Sequence, residues 1–434
     1  MRRERPGGLM NRQQRRWLIV GIGAALLAAG CSSSKSKAAS TGTTGVAGSA
    51  GTAAASASGG GDIVVEGLAQ LAFYPGVDSA FQARITRFNN QGGLNGRKIK
   101  FLGVQDTGND PAKALSETQS VVLKDHVFAV APIASEVVLA PSSDFMTQNH
   151  TPFFGWAVSP NWCNNDYAFG VNGCLTPKTG GSLVLETPLQ HVLGKPAAGV
   201  RVAIINSDNP GASASEAVEG QGFKAAGFDV VYNEAPVPVG GATDYTPEVQ
   251  ALLAAKPDVI FLSLDFASTV GLNAALKTAG FKGLLYSPGV TYAPSVLSAQ
   301  PNVAAALDGQ YDNVQFAVQE SDSAAIKQIN DDLQAIGKPT GVTLGAAVGY
   351  WSADQFIAML QAAAAKAGTL TSQSFDEAVN AGFTWTPQPA GGTCPEAWPA
   401  AHVGGTVGGI MLQIQGGKFV VKDSFNCYPY LPNF

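Results

Sequence analysis

One stretch of the sequence combines residue types that could hold an anionic group. Residues 126–160 read HVFAVAPIASEVVLAPSSDFMTQNHTPFFGWAVSP, and the apolar run at 127–133 predicts a parallel strand that is buried on both faces. A helix is predicted to begin at Ser135, just past the carboxyl end of this strand. The helix dipole, its free N–H groups and the Ser135 hydroxyl together favour a carboxylate in the crevice. On this segment alone, the stronger interpretation is that Ser135 only caps its own helix, with Glu136 favoured in the first turn.

The residue types that carry out catalysis or hold metals do not form a known pattern. The sequence has no G-x-S-x-G, H-E-x-x-H, phosphate-loop or dinucleotide-binding motif. A catalytic triad of Ser135, Asp144 and His150 is rejected, because the serine and the aspartate fall on one predicted helix. The histidines are scattered without the spacing of metal ligands, at His126, His150, His191 and His402. We therefore predict that the protein is not an enzyme and uses no catalytic residues, metal or cofactor.

Length, composition and charge limit the class of protein. The chain has 434 residues, of which 45% are hydrophobic and 14% charged, enough to build sizeable cores in about two or three domains. The net charge is -5, and no long basic run occurs outside the extreme N-terminus. Nucleic acid is therefore not an expected partner.

The N-terminus has the pattern of an export signal. Residues 12–16 are basic, residues 17–30 are apolar, and Cys31 follows small residues. This pattern resembles a bacterial lipobox, in which the cysteine receives a lipid and becomes the mature N-terminus. Residues 32–61 are almost wholly Ser, Ala, Gly and Thr, which predicts a flexible tether of roughly 30 Å. We predict a signal peptide over 1–31, lipidation at Cys31 and an anchor on the outer face of the cell membrane; an ordinary signal cut nearby is the alternative.

The remaining cysteines predict two disulfide bonds. Five cysteines less Cys31 leave four, an even number in an oxidising compartment. Cys163 and Cys174 are close in sequence and flank a loop rich in Pro, Asn and Gly, so we pair them. Cys394 and Cys427 are paired by elimination.

From residue 62 onward the sequence alternates between strands and helices. Strand, helix, strand, helix and strand follow one another up to residue 133, a βαβαβ order that indicates a mostly parallel sheet covered by helices. The pattern starts again after Cys174, so two α/β units are predicted. The second series comprises helices at 181–192, 213–226, 247–255 and 270–279, and strands at 200–206, 229–232, 258–264 and 284–287. Later segments predict helices at 346–367 and 375–380 and a closing hairpin at 409–415 and 418–421.

Several blocks together carry a resemblance to a known family. They are ARITRFNNQGGLNGRKIKFLGVQDTGNDPAKA from Ala83, the APIAS loop with residues 152–154, RVAIINSD from Arg201, ATDYTPEVQALLAAKPDVIFLSLD from Ala242 and GYWSADQFIAML from Gly349. In this order and spacing, they resemble the type I periplasmic binding proteins of ABC importers, and among these the branched-chain amino-acid binding group. The resemblance covers residues 62 to about 421.

The resemblance implies an α/β fold of two doubly wound lobes with parallel-rich sheets, joined by hinge crossovers around a small ligand. Lobe 1 is expected to comprise residues 62–173 with 318–405, and lobe 2 residues 174–317 with 406–434. It further implies an ABC transporter permease as partner, and we expect a monomer. With this resemblance, the interpretation of the Ser135 loop changes in favour of binding.

In similar proteins, a serine at the position of Ser135 holds the ligand carboxylate. Backbone amides at the same helix start assist it, which here brings in the neighbouring residues Ala134 and Glu136. Glu136 is further considered as a partner for an ammonium group, although serving the helix dipole is favoured. The Ala157 carbonyl and the Ser159 hydroxyl fall where the family holds the ligand ammonium.

Aromatic and acidic positions complete the site that the resemblance implies. Phe73 or Tyr74 is expected to cover the ligand, and Phe266 stands near an expected tyrosine of the second lobe. The acid that usually pairs with the ammonium aligns with Gly289, which puts amino-acid specificity in doubt. Asp265 either replaces that acid or is a solvated loop residue, and the sequence favours neither.

The predicted function is the capture of a small carboxylate with an apolar body, most simply a branched-chain or other apolar amino acid, by lobe closure. The protein would then deliver this ligand to an ABC importer. The alternatives are a non-amino-acid carboxylate or amide as ligand, and a tethered receptor that reports its ligand to a membrane partner without transport.

Overall fold

The computed structural model describes residues 61–208 and 210–433, with the backbone alone at residues 210, 211, 213 and 214. The predicted signal peptide, Cys31 and nearly all of the predicted tether therefore lie outside the described residues. Within the described ranges, no helix is both long enough and apolar enough to cross a membrane.

The first third of the described chain forms one parallel sheet. Its strands are β1 (Ile63–Ala69), β2 (Ile99–Asp106), β3 (Ala129–Ala134), β4 (Phe153–Gly155) and β5 (Ala168–Gly170), and its helices are α1 (Val77–Asn90), α2 (Pro111–Leu123) and α3 (Ala140–Gln148). The strand order is β2-β1-β3-β4-β5 and every neighbouring pair is parallel. The predicted βαβαβ order is confirmed.

The second series of elements also alternates. It comprises α4 (Glu186–Leu193), β6 (Arg201–Ser207), α5 (Pro210–Ala225), β7 (Asp229–Val237), α6 (Thr246–Ala254), β8 (Val259–Ser263), α7 (Phe266–Thr278), β9 (Leu284–Ser287), α8 (Pro294–Ala299), α9 (Pro301–Leu307) and β10 (Tyr311–Val314). The last elements are α10 (Ala324–Ala335), α11 (Leu344–Lys366), α12 (Ser372–Asn380), β11 (Phe383–Trp385), β12 (Glu396–Trp398), β13 (Val407–Gln415) and β14 (Lys418–Tyr428). The predicted closing hairpin is confirmed as β13 and β14.

A second sheet contains strands from both of these series. Its order is β14-β13-β10-β9-β8-β6-β7, in which five parallel strands end in the antiparallel pair β13 and β14 at one edge. The chain passes from one sheet to the other after β5, after β10 and before β13. The result is two doubly wound lobes with parallel-rich sheets, as predicted.

The late helix α11 packs on the first sheet rather than on the second. It contacts α1, β3 and β4, and almost all of its residues up to Leu360 are buried. The contact with α1 is close, since a Cβ atom at Gly349 would overlap the carbonyl group of Val77. On α1, the buried residues follow helical spacing, as the sequence predicted: Val77, Ala80, Phe81, Ala83, Ile85 and Phe88.

Two predicted helices begin later than the sequence suggested. Helix α3 begins at Ala140 and not at Ser135, so the prediction of a helix start at that serine is wrong. Helix α4 begins at Glu186 and not at residue 181. In both cases a proline sets the start of the helix. Pro141 and Pro188 lie in the first turn of the observed helices, where proline is tolerated. The predicted starts would have placed them in the helix interior, where proline removes a backbone hydrogen bond.

Both predicted disulfides are present. Cys163 bonds to Cys174, and Cys394 bonds to Cys427. The second bond joins the segment that leads into β12 to the end of β14. It therefore links a part of the chain packed with the first sheet to the edge of the second sheet.

The crossovers between the lobes are tied to one another by side-chain hydrogen bonds. The amide nitrogen of Asn172 donates to Oε1 of Gln315 at 3.4 Å, and its Oδ1 accepts from the hydroxyl of Thr393 at 3.3 Å. Gln315 Oε1 also accepts from Nε1 of Trp156 at 2.7 Å. One hydrophobic cluster contains buried residues of both lobes, so the core continues through the crossover region.

Candidate ligand-binding site

A cavity of about 210 Å³ lies between the carboxyl edges of the two sheets. In the first sheet the strand order reverses between β1 and β3, and in the second it reverses between β6 and β8. Such reversals open a crevice beyond the strand ends, where α/β proteins bind ligands. Several lining residues follow strand ends: Glu136 after β3, Trp156, Val158 and Ser159 after β4, Ser207 at the end of β6, and Ser263, Leu264 and Asp265 at the end of β8.

Most of the cavity wall is apolar. Among the described residues, one aromatic ring lines it, that of Trp156. The ring is held by the hydrogen bond to Gln315 and by an edge-to-face contact with Tyr74 at 5.7 Å between ring centroids. The other apolar lining residues are Val158, Leu175, Val184, Leu185, Ala212, Val218, Val239, Leu264, Pro288, Val290 and Val407. The wall therefore suits a ligand with an apolar body.

The charged residues in the wall all have the same sign. Four acids, Glu136, Glu186, Glu219 and Asp265, line the cavity, and no Lys, Arg or His of the described chain does so. Any fully charged group that a ligand brings here meets carboxyl groups and not a basic side chain. The electrostatics of the cavity thus favour a positive or hydrogen-bond-donating group.

Glu136 belongs to the first lobe and faces the second. Its Oε1 accepts a hydrogen bond from the hydroxyl of Tyr74 at 3.1 Å, and its N–H donates to Oε1 of Gln70 at 2.8 Å. The side chain is accessible from the cavity, although atoms of both lobes surround it. Burial raises the pKa of Glu136; the Tyr74 hydrogen bond lowers it, and the Asp265 charge raises it further.

Glu186 and Glu219 form the acidic part of the second-lobe wall. Glu186 lies in the first turn of α4 and is 2% exposed. Burial raises its pKa to about 8, against the lowering effect of the backbone N–H groups of Glu186 and Leu185, and the Glu219 charge adds to the rise. Glu219, on α5, accepts from the hydroxyl of Ser263 at 2.8 Å and from Nδ2 of Asn206 at 3.3 Å. Burial raises the pKa of Glu219 to about 7, against the lowering effect of these two hydrogen bonds.

Asp265 has a structural task besides lining the cavity. It is the N-cap of α7, where its carboxylate accepts from the N–H of Ser268 at 3.1 Å and from the Ser268 hydroxyl at 2.5 Å. It also accepts from the N–H of Gly240 at 3.0 Å. Both of its oxygens are thus already hydrogen-bonded within the second lobe, a role that neither sequence interpretation foresaw.

Comparison with known proteins identifies the family. A family-wide sequence profile described as periplasmic binding protein matches residues 63–394. This chain belongs to the periplasmic binding protein family. Its members are extracytoplasmic solute-binding proteins of ABC transporters, which work with a permease and are not enzymes; the predicted family and the absence of enzymatic activity are confirmed. A search of curated proteins finds no match.

Solved structures of solute-binding proteins from transporters have a similar fold. A solute-binding protein from R. palustris, in complex with 4-hydroxybenzoate, is 20% identical, with 85% of this chain and 98% of that one covered and a TM-score of 0.67. A fatty acid ABC transporter substrate-binding protein from Thermomonospora curvata is 18% identical, with 84% and 92% covered and a TM-score of 0.68. A branched-chain amino acid transporter protein from Streptococcus pneumoniae, in complex with isoleucine, is 17% identical, with 85% and 100% covered and a TM-score of 0.64. At these identities, the likeness shows the fold alone.

The structure of this periplasmic binding protein brings only part of the predicted site to the cavity. Glu136, Ser159 and Asp265 line it. Ser135 does not: it is wholly buried, and its hydroxyl lies 2.9 Å from the hydroxyl of Thr107. Two further buried residues, Ala134 and Ala157, also lie outside the lining.

The predicted aromatic residues and Gly289 also lie outside the lining of this periplasmic binding protein. Phe73 is 48% exposed, and Tyr74 is buried behind Trp156. Phe266 begins α7, next to the lining residue Asp265. Gly289 has a φ of 88° and lies against the backbone of Asn313, while its neighbours Pro288 and Val290 line the cavity.

Most of the lining residues were missed by the sequence analysis, among them the polar residues Ser207, Ser263, Glu186 and Glu219. The two serines could have been found, because they fall at the ends of two predicted strands. The two glutamates come from helices and carry no local pattern, so the sequence alone did not single them out.

Proposed function

We propose that this solute-binding protein captures a small ligand with an apolar body and an ammonium group, first of all a branched-chain or other apolar amino acid. It then delivers this ligand to an ABC importer while anchored to the membrane through Cys31. The ligand class is inferred from the composition of the cavity wall, which is apolar for most of its area and acidic at its charged positions.

The apolar lining supports the apolar body. Trp156, Val158 and Leu264 come from the two lobes and face the same space, so a ligand with a hydrocarbon portion contacts both lobes at once. Burying such a portion contributes about 25 cal/mol for each Å² removed from water. Because both lobes gain these contacts only when they are close together, the ligand favours the closed state.

The charge of the wall supports an ammonium group. A plain carboxylate would meet acidic side chains without a basic partner among the described residues, which costs free energy, whereas an ammonium group meets acceptors. The family resemblance implied an ammonium contact for Ser159. Because the acids of the wall suit the ammonium group better, we assign the Ser159 hydroxyl, which lines the first-lobe wall, to the carboxylate of an amino acid.

A non-amino-acid carboxylate or an amide is the second candidate. The observation that favours it is the pKa of Glu186, which burial raises to about 8, so that this side chain is mostly protonated at neutral pH and can donate a hydrogen bond. The related structure from R. palustris holds 4-hydroxybenzoate, a ligand without an ammonium group.

A thermal-shift screen of L-amino acids and small carboxylates tests the ligand class. A ligand present at about 100 times its Kd stabilises the protein by roughly 2.7 kcal/mol, which is readily measured as a rise in Tm. We expect apolar amino acids to give the largest rises. Absence of a rise with every apolar amino acid and carboxylate would contradict the proposal.

Two valine variants serve as a matched pair for this screen. Val158→Trp fills the cavity and should remove the rise in Tm, since Val158 lines the wall. Val420→Trp makes the same change at an exposed position of β14 and should leave the rise intact.

A further inference from the structure

The second-lobe wall of the cavity contains buried polar atoms that lack partners. Oε2 of Glu186 and the hydroxyl of Ser207 accept and donate no hydrogen bond within the described chain. Both residues line the cavity, and they are only 2% and 4% exposed. A buried polar group without a partner destabilises a protein, so such groups in the wall of a ligand cavity point to partners that the ligand or ordered water supplies.

The fold holds these atoms in place. Ser207 is the last residue of β6, and Glu186 is fixed by the first turn of α4. The carboxyl group of Glu186 lies against Gly222 of α5, where a Cβ atom would overlap it. Glu219 precedes Gly222 by three residues on the same helix, so the two carboxyl groups lie on the same wall, and the charge of one raises the pKa of the other.

A purely structural role does not account for this arrangement. An acid in the first turn of a helix stabilises the helix dipole, and Glu186 does this for α4. That role needs no burial and no second carboxyl group beside it. Buried carboxyl pairs that only support a fold are normally matched by Arg or Lys, and in the described residues none of these lines the cavity.

We propose that Glu186, Glu219 and Ser207 form a subsite for the primary ammonium group of the ligand. An ammonium group carries three N–H donors, and the subsite offers three acceptors: Oε2 of Glu186, the Ser207 hydroxyl and one carboxylate oxygen of Glu219. This inference rests on the proposed function and places its ammonium group away from Asp265. The Asp265 carboxylate already accepts three hydrogen bonds as the N-cap of α7 and from Gly240, whereas that of Glu219 accepts two and keeps lone pairs free.

The subsite also makes binding sensitive to pH. Burial raises the pKa of Glu219 to about 7 and that of Glu186 to about 8, so the empty site holds a proton near neutral pH. An ammonium group favours the ionised carboxylates, so its binding releases protons and strengthens as the pH rises. The other titratable groups that face the pair or its neighbours are Glu216 on α5, Tyr286 on β9, Asp312 on β10 and Tyr428 on β14, with Glu136 and Asp265 along the wall; none is basic.

Calorimetric titration with three related compounds tests the subsite. L-leucine carries both charged groups, 3-methylbutylamine lacks the carboxylate, and 4-methylpentanoate lacks the ammonium group. At pH 8, Glu186→Gln and Glu219→Gln should each weaken binding of the two amines at least about tenfold, as for a lost hydrogen bond to a charged group. Binding of 4-methylpentanoate should stay within about twofold or strengthen. For the wild type, affinity for 3-methylbutylamine should fall about tenfold from pH 8 to pH 6.

Two controls keep the result specific. Glu377→Gln makes the same change on the exposed surface of α12 and should leave all three affinities as in the wild type. Ser207→Ala removes one small acceptor and should weaken binding of the amines but not of 4-methylpentanoate. It tests the subsite even if a glutamine variant folds poorly.

The outcomes separate the subsite from the proposed function. Amines that bind Glu186→Gln and Glu219→Gln as tightly as the wild type overturn the subsite and leave the binding of apolar amino acids standing. Binding of 4-methylpentanoate without binding of the amines overturns the subsite in favour of the carboxylate candidate. Absence of binding for all three compounds overturns the proposed ligand class together with the subsite.

Discussion

The hydroxyl of Ser135 lies 2.9 Å from the hydroxyl of Thr107, and neither residue has any exposed surface. The pair joins the carboxyl end of β3 to the residue that follows β2. Ser135 Oγ also accepts from the N–H of Val137 at 3.4 Å. The serine at the centre of the predicted carboxylate site thus uses its hydrogen bonds within the first lobe.

Replacing Ser135 by alanine is expected to lower the free energy of unfolding by about 1–2 kcal/mol, because Thr107 loses a buried partner. Ligand affinity should change by less than about twofold, since the side chain does not reach the cavity. Denaturant unfolding and calorimetry measure the two quantities. Thr107→Val removes the other hydroxyl and should give a similar loss of stability. A direct bond to a ligand carboxylate, as the family resemblance implies, would instead cost about 1.5–3 kcal/mol of binding.

Glu186→Gln should make the empty protein more stable at pH 8 but not at pH 4. The folded protein keeps a proton on Glu186 up to about pH 8, whereas the unfolded chain loses it near pH 4.5. The contribution of the raised pKa to the free energy of unfolding is therefore complete below pH 4.5 and is lost as the pH rises toward 8. We expect the variant to exceed the wild type by about 2–4 kcal/mol at pH 8. Urea unfolding of both proteins at several pH values measures this difference, and a constant difference would contradict the prediction.

The anchor prediction concerns Cys31, which follows the apolar segment 17–30 and precedes the tether. Cys31→Ser removes the thiol that a lipid would modify, so the protein should leave the membrane fraction and appear in the soluble extracytoplasmic fraction. Detergent partitioning of the two forms measures the change. A serine replacement in the tether, such as Thr41→Ser, should leave the protein with the membrane. Equal partitioning of wild type and Cys31→Ser would remove the lipoprotein assignment.

Replacing the buried Asp354 is expected to destabilise the first lobe strongly. Asp354 is 5% exposed and accepts from Nε of Arg84 at 2.9 Å and from Nε1 of Trp385 at 3.1 Å. Asp354→Ala leaves a largely buried guanidinium without its partner, so we expect a loss of about 3–5 kcal/mol in denaturant unfolding. Asp331→Ala breaks an exposed ion pair with Lys327 and should cost less than about 1 kcal/mol. Equal losses of stability in the two variants would show that burial of the ion pair does not determine its contribution.

The order of the elements could be predicted because it depends on local patterns. The buried face of α1 and the two strands of the closing hairpin each show their period in the sequence. The helix starts were predicted less well, since Pro141 and Pro188 were not used to set the register of their helices. Both disulfides followed from counting and from the distance between Cys163 and Cys174 in sequence.

The site could be predicted only where it follows strand ends. Glu136, Ser159 and Asp265 lie in the turns that leave parallel strands, and the rule for α/β sheets points to such positions. Glu186 and Glu219 reach the cavity from helices through tertiary packing. Their approach depends on small residues elsewhere, such as Gly222 beneath the Glu186 carboxyl group, and one sequence gives no sign of such a pairing.

The disulfide bond between Cys394 and Cys427 restrains the movement of the two lobes relative to each other. It joins the segment before β12 to the end of β14, beside the crossover that leads into β13. A covalent link cannot lengthen, so the lobes cannot part along this edge or slide past each other there. When the lobes open, the cavity should therefore widen at the edge opposite this disulfide. We therefore expect ligand to enter and leave on the side of the cavity that faces away from this disulfide.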